Sequence, residues 1–243
     1  MKKFLASLFI LTVFSAVVFY VGWTQFKVKP DTVGVVVSKT DGVSEIPVVN
    51  GEFAWHWQFL LPTNAELKLF TIKPLNVTRT IKGQLPSGEV YTSIYNSSDS
   101  FSYYFNFSIS LTLSPQAIVE LLRLNKISNN DDLQEYLVKA ADTLAQLSAD
   151  YYLKKAEESG SFRPESVRRD DLLRNVQLYK DCPEVDITAF SLVESKIPDY
   201  SLYKKLQSGF VSSQFTGEQI PEVDSVKNDS ENTDNEDDRG LLF

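Results

Sequence analysis

One histidine, His56, and one cysteine, Cys182, are all that the chain offers of the two side chains most used for soft-metal binding and nucleophilic relay. A zinc site of the usual His/Cys kind cannot be assembled from two such ligands. Ser-His-Asp or Cys-His catalysis would have to run through His56. That residue lies between Trp55 and Trp57 in a run that reads as an aromatic strand, where a packed or interfacial histidine is the commoner occupant. No G-x-S-x-G elbow, P-loop or G-x-G-x-x-G occurs. Asp131-Asp132 and Asp170-Asp171 are of the type that does acid–base work. Each pair stands at or near an expected helix start, where the macrodipole stabilises acids. The run DSENTDNEDD could gather calcium loosely but lacks the glycine turn of a calcium loop. Asn-X-Ser/Thr triplets at Asn76, Asn96, Asn106 and Asn228 are too short to carry a function. The inventory points away from an enzyme, a metal site and a bound cofactor.

The stretch that must position everything else is Phe4 to Trp23, FLASLFILTVFSAVVFYVGW, twenty residues without a charge or a proline. As a helix it is roughly 30 Å long, the hydrocarbon thickness of a bilayer. Lys2 and Lys3 precede it, and Tyr20 and Trp23 stand at its far end, where amphipathic rings favour the headgroup level. A cleaved secretory signal is the rival reading. Its best cut, after Ser15 with Val13 three back, would expose AVVFYVGW as an apolar new terminus, so an uncleaved anchor is expected. Lys2, Lys3 and the α-amino group against Lys27 and Lys29 place the N-terminus in the cytoplasm and the body on the outer side by a narrow margin. A single cysteine fits a bacterial envelope or a reducing compartment equally well.

The formal charge of −8 is concentrated at the end of the chain. From Ser212 on, nine acidic residues face Lys227 and Arg239, a net of −7 that leaves about −1 for the rest. The body has no basic excess to attract nucleic acid. The acidic stretch, poor in aromatics, reads as a disordered tail. Three parts follow: a span at 1–26, a domain at 27–210 and a tail at 211–243.

Within the domain, Thr32 to Ser38 reads as a buried strand closed by Asp41-Gly42. Val48 to Pro62 turns at Asn50-Gly51 and then alternates, with Phe53, Trp55, Trp57 and Phe59 on one side. Because few residues separate Trp23 from the first strand, Trp55 and Trp57 either rest at the headgroups or fill the core; the pattern leaves both open. Leu67 to Thr80 continues as strand interrupted at Pro74, and Val90 to Tyr95 reads as a further short strand. Phe101 to Leu113 alternates almost without a break, and Ser114-Pro115 starts a helix. Asp131 to Ser159 carries Leu133, Leu137, Ala140, Leu144, Leu147 and Tyr151 as one stripe, capped by Asn129 or Asn130 and ended by Gly160. A helix over Pro164 to Tyr179, a strand over Val185 to Val193 and a short helix over Pro198 to Phe210 complete the domain. Strands, then helices, then a late strand make the class α+β, with mostly antiparallel sheet and packed helices behind a single transmembrane helix.

Four segments in this order resemble the SPFH superfamily, the band-7 type proteins that include stomatin, prohibitin, flotillin and HflK/HflC. KVKPDTVGVVVSKTDG resembles its opening strand after the anchor, and VVNGEFAWHWQFLLP its glycine-aromatic-proline segment. FSYYFNFSISLTLSPQAIVELL resembles its long strand and proline-started helix, and VDITAFSLVESKIPDYSLYKKL its closing strand and exit. The resemblance implies a membrane scaffold that forms homo- or hetero-oligomers with other SPFH subunits, organises membrane patches or regulates a membrane-bound protease. Where that family continues into a long Ala/Glu-rich helix, this chain reads GFVSSQFTGEQIPEVD, so a cage built through that helix does not follow from it. The alternative is a non-oligomeric envelope protein that presents its domain or acidic tail to a partner.

Overall fold

A computed structural model of the chain describes residues 2–24, 27–97, 100–160, 162–176 and 178–216. The apolar run forms helix α1, Lys2–Gly22. Strand β1, Thr32–Ser38, is the centre of a first sheet. Its full length pairs antiparallel with β4, Ala65–Thr71, from Thr32↔Thr71 to Ser38↔Ala65. Its other edge takes two short strands, β2 at Gly42–Val43 and β3 at Val48–Val49. The open edge of β4 is closed by a side chain: Asn130 accepts from the Thr71 N–H at 2.8 Å and donates to the Leu69 carbonyl at 3.1 Å.

The second sheet runs β5–β6–β7, all antiparallel: Leu75–Gln84, Ser102–Leu113 and Val185–Lys196. β6 has the expected alternation, with Phe105, Phe107, Ile109, Leu111 and Leu113 buried and the polar residues between them on the open face. Phe101 leaves that alternation with a φ of 45° and turns into a separate small core. Gly83 faces Tyr103 across the β5–β6 pair, and the tyrosine ring lies where a Cβ would stand, so the sheet surface is covered there by the neighbouring aromatic.

Helix α3, Pro115–Arg123, begins with proline at its first turn, and the Ser114 hydroxyl accepts from the Ala117 N–H at 3.1 Å. Helix α4, Asn130–Glu158, crosses the sheet. Its cap is reciprocal: Asn129 accepts from the Asp132 N–H at 2.9 Å while Asp132 accepts from the Ser128 N–H at 2.7 Å. Asp131-Asp132 and Asp170-Asp171 both lie in first helical turns. The buried face of α4 differs from the expected stripe. Leu133, Leu137, Ala140 and Leu144 are buried, but Leu147 and Tyr151 slide to the flank, and Ala145, Ser148, Ala149, Tyr152 and Ala156 replace them. A straight helix has 3.6 residues per turn, so a four-three spacing drifts about 20° per heptad off the contact line.

Three further segments depart from expectation. Val90 to Tyr95 is not a strand but belongs to helix α2, Gly88–Ile94, because Tyr91 and Tyr95 fall on one helical face against Tyr203 and Phe210. Pro164 to Tyr179 is not one helix. It breaks into a 3-10 turn at Pro164–Ser166, α5 at Arg169–Asn175 and α6 at Leu178–Asp181. Val167 and Leu172, five positions apart, lie about 140° apart on a helix and cannot share one buried face. Gly160 follows the end of α4 outside the left-handed region, and a Cβ there would meet Ser201 Oγ at 2.9 Å.

The last described element, α7, runs Tyr200–Thr216, through Gly209 and past the expected boundary at 210. A Cβ at Gly209 would stand 2.9 Å from Tyr95 Oη, so close packing explains the glycine better than a break does. The acidic tail, from residue 217 on, lies outside the described residues.

Candidate membrane interface

Helix α1 is apolar on every side, and none of its central span is buried by the rest of the protein. It is long and apolar enough to cross a membrane, and it could anchor the domain in one. What it touches is the segment between β3 and β4.

That segment is not the expected alternating strand. After Asn50-Gly51, where Gly51 has a φ of 91°, it runs without regular pairing and closes in a 3-10 turn at Trp57–Leu60. Both edges of β1 are already occupied, so the segment has no strand to pair with and crosses the sheet face instead. Ala54 and Phe59 turn inward there and cover Val28, Val36 and Val48. The odd residues of β1, Val33 and Val35, face the main core on the opposite side. The aromatic residues between them are left facing outward.

A two-bond clamp joins this segment to the end of α1. Trp23 and Trp55 form an isolated antiparallel bridge. The Thr24 N–H donates to the Ala54 carbonyl at 3.0 Å and the His56 N–H to the Gly22 carbonyl at 2.8 Å. The buried Thr24 hydroxyl also donates to Ala54 at 3.2 Å. Gly22 makes the close approach possible, since a Cβ there would lie 2.3 Å from Trp55 Nε1. Phe53 stacks on Phe19 with ring centres 5.8 Å apart and lies 6.2 Å from Trp23. Lys27 Nζ sits 4.8 Å over the Phe59 ring.

The four residues singled out for the interface are thus unequal. Tyr20 is exposed on α1 and Trp23 is half-buried within the clamp. Trp55 and Trp57 are 37% and 44% exposed and belong to none of the three cores, so the core-filling reading of these two falls. The structure adds Gly22, Thr24 and Phe53. Gly22 and Phe19 stand one and four positions before Trp23, the only trace of the clamp in the sequence.

His56 takes part through its backbone. Burial pushes its imidazole below the ordinary value, toward the neutral form. Cys182 sits in the main core, and burial pushes its thiol up, away from the reactive thiolate. Nearby, Glu184 accepts from Tyr136 at 2.7 Å and from Lys126 at 2.9 Å. Burial alone would raise the Glu184 carboxyl, but these two donors outweigh it and hold it below its usual value. The group ties α4 to the start of β7. Among the described residues no cluster of three His, Cys, Asp or Glu could hold a metal ion.

No family model matches the sequence. The chain is similar to an uncharacterized protein of Treponema pallidum (strain Nichols), 24% identical over 192 residues that cover 78% of this chain and 65% of that protein. It therefore spans less than two thirds of the relative's length. Neither comparison adds to the SPFH resemblance.

Proposed function

We propose that the protein is a single-pass membrane-anchored scaffold: α1 spans the bilayer with its N-terminus in the cytoplasm, and the α+β domain works on the outer side through protein contacts rather than catalysis. The observation that carries this is the clamp. An unburied apolar helix is fixed to a folded domain by paired backbone hydrogen bonds at Gly22, Thr24, Ala54 and His56. A helix end built into the fold in this way supports retention of the span. The side chains capable of chemistry are spent elsewhere, with Cys182 in the core and the paired aspartates in helix starts.

The SPFH-type version, in which copies or related subunits assemble and hold a membrane-bound protease, draws on one further feature. After the closing strand β7 the chain continues as helix α7, which packs on α2 and runs to Thr216, a helix in the place where the resemblance expects one though without its Ala/Glu-rich sequence. A non-oligomeric binder presenting its domain or tail remains the competing reading. Extraction of the intact chain in mild detergent separates them. A large assembly or a co-purifying protease supports the scaffold, and a monodisperse single chain without partners supports the binder. Cleavage of the domain by external protease in spheroplasts tests its side; resistance, where a known external domain is cut, overturns the orientation.

A further inference from the structure

We infer that the segment from Phe53 to Leu61 is a second membrane contact, entering the leaflet beside the point where α1 leaves it, so that the domain lies on the bilayer by the outer side of its first sheet. This rests on the reading that α1 spans the membrane. Five large apolar side chains fall within nine positions and all are exposed: Phe53 at 62%, Trp55 at 37%, Trp57 at 44%, Leu60 at 38% and Leu61 at 45%. A concentration of that kind on a folded domain marks a protein or lipid contact.

Continuity selects lipid. Phe53 stacks on Phe19 of α1 at 5.8 Å, and the clamp holds Trp55 against Gly22. The patch is thus an extension of a helix surface that itself has no cover in the protein. The stretch FAWHWQFLL carries no charge, and its one titratable residue, His56, is kept toward the neutral form by burial. Tryptophan and phenylalanine rings with leucine behind them suit the headgroup and upper acyl region, where one part of the ring is wet and the other apolar. Lys27 Nζ, 4.8 Å over the Phe59 ring, sets a positive charge beside the patch, where lipid phosphates would lie. The inward residues of the same segment, Ala54 and Phe59, cover the sheet face and fix which side the exposed ones take.

The test uses the full chain in nanodiscs of phosphatidylcholine brominated at either a shallow or a deep acyl position. In a variant with Trp23→Phe and Trp55→Phe, Trp57 reports the patch. In a second variant with all three tryptophans replaced by phenylalanine and Phe14→Trp, the new reporter reads the middle of α1. The expected result is at least twofold quenching of Trp57 by shallow bromine and strongest quenching at position 14 by deep bromine. Leu61→Cys carrying a polarity-sensitive dye, with Cys182→Ser, gives a second readout at an exposed site that the fold does not need, and a blue-shifted emission is expected. Quenching at position 14 with neither lipid dependence at Trp57 nor a shift at 61 overturns the second contact and leaves the anchor standing. No quenching at either position overturns both. Protection of Trp57 that arises only when other membrane proteins are added assigns the patch to a protein partner and overturns the lipid assignment.

Discussion

Replacing Gly22 by alanine tests whether the clamp is a specific fit or a loose contact. The added Cβ would stand 2.3 Å from Trp55 Nε1, 2.4 Å from Cε2 and 2.9 Å from Cδ1. Carbon contacts are favourable only at about 3.5–4.0 Å, so the indole must retreat by about 1 Å. It cannot do so freely, because the backbone on either side of Trp55 is bonded to Gly22 and Thr24. Overpacking of this kind costs about 1–3 kcal/mol. Helix propensity favours alanine over glycine by about 1 kcal/mol, which offsets only part of it near a helix end. The clamp holds two backbone hydrogen bonds, each contributing about 0.5–1.5 kcal/mol net. The Phe19–Phe53 pair adds about 0.5–1.5 kcal/mol. A net cost of about 1–2 kcal/mol therefore removes much of the margin, and opening becomes about five- to thirtyfold easier at about 1.4 kcal/mol per decade. Hydrogen exchange should show the Thr24 and His56 amides losing protection by that factor while Val33 and Val35 in β1 keep theirs. Trp55→Ala should relieve the clash, so that Gly22→Ala costs nothing in its presence. Unchanged protection at Thr24 and His56, or equal cost with and without the indole, would refute the fit.

Leu144→Ala, at a fully buried position on α4, should lower unfolding stability by about 2–5 kcal/mol in urea titrations, and Leu147→Ala on the flank markedly less. A reversed order would restore the heptad stripe. Asn130→Ala removes both bonds that close the edge of β4 and should cost about 1–3 kcal/mol, with faster exchange at the Thr71 amide. Glu184 has a lowered folded pKa, so its contribution is complete above the unfolded value of about 4.3 and is lost as pH falls through the lowered folded value. Urea midpoints at pH 7, 5 and 3 should therefore drop most steeply at the acid end, and Glu184→Gln should flatten part of that drop; an unaltered acid slope would remove Glu184 from the account.

The elements that the sequence showed clearly are those whose pattern and partner agree. β1, β6 and the start of α3 have one strong period each and bury the face that period defines. Val48 to Pro62 misled because period two was present without an edge to pair with. Alternation reports two environments, here the sheet face under Ala54 and Phe59 and the outside, and not a ladder of hydrogen bonds. Tyr91 and Tyr95 were ambiguous in a short run because their partners, Tyr203 and Phe210 for Tyr91 and Gly209 for Tyr95, stand more than a hundred positions later. Of the candidate interface, the apolar helix and the aromatic residues Tyr20 and Trp23 at its end were visible in the sequence. Its clamp was not, because backbone donors at Thr24 and His56 leave no mark on residue type.

The clamp also ties the end of α1 to the domain. On leaving α1 the chain is bonded at Thr24, and Lys27 N–H returns to the Thr24 carbonyl at 3.0 Å. Val28 is buried, and its carbonyl accepts from Asn50 at 2.8 Å; the Lys29 carbonyl then accepts from Thr32 at the start of β1. Thr24, Lys27, Val28 and Lys29 are thereby each bonded within the domain or to its neighbouring turn. A span longer than the local hydrocarbon adjusts by tilting. With the helix end bonded to the fold, tilt of a membrane-inserted α1 would carry the first sheet with it, and the proposed contact at the exposed aromatic patch would restrict which tilts keep it out of water. On the proposal that α1 spans a bilayer, a partner of the domain would meet it at a constrained height and orientation above the leaflet.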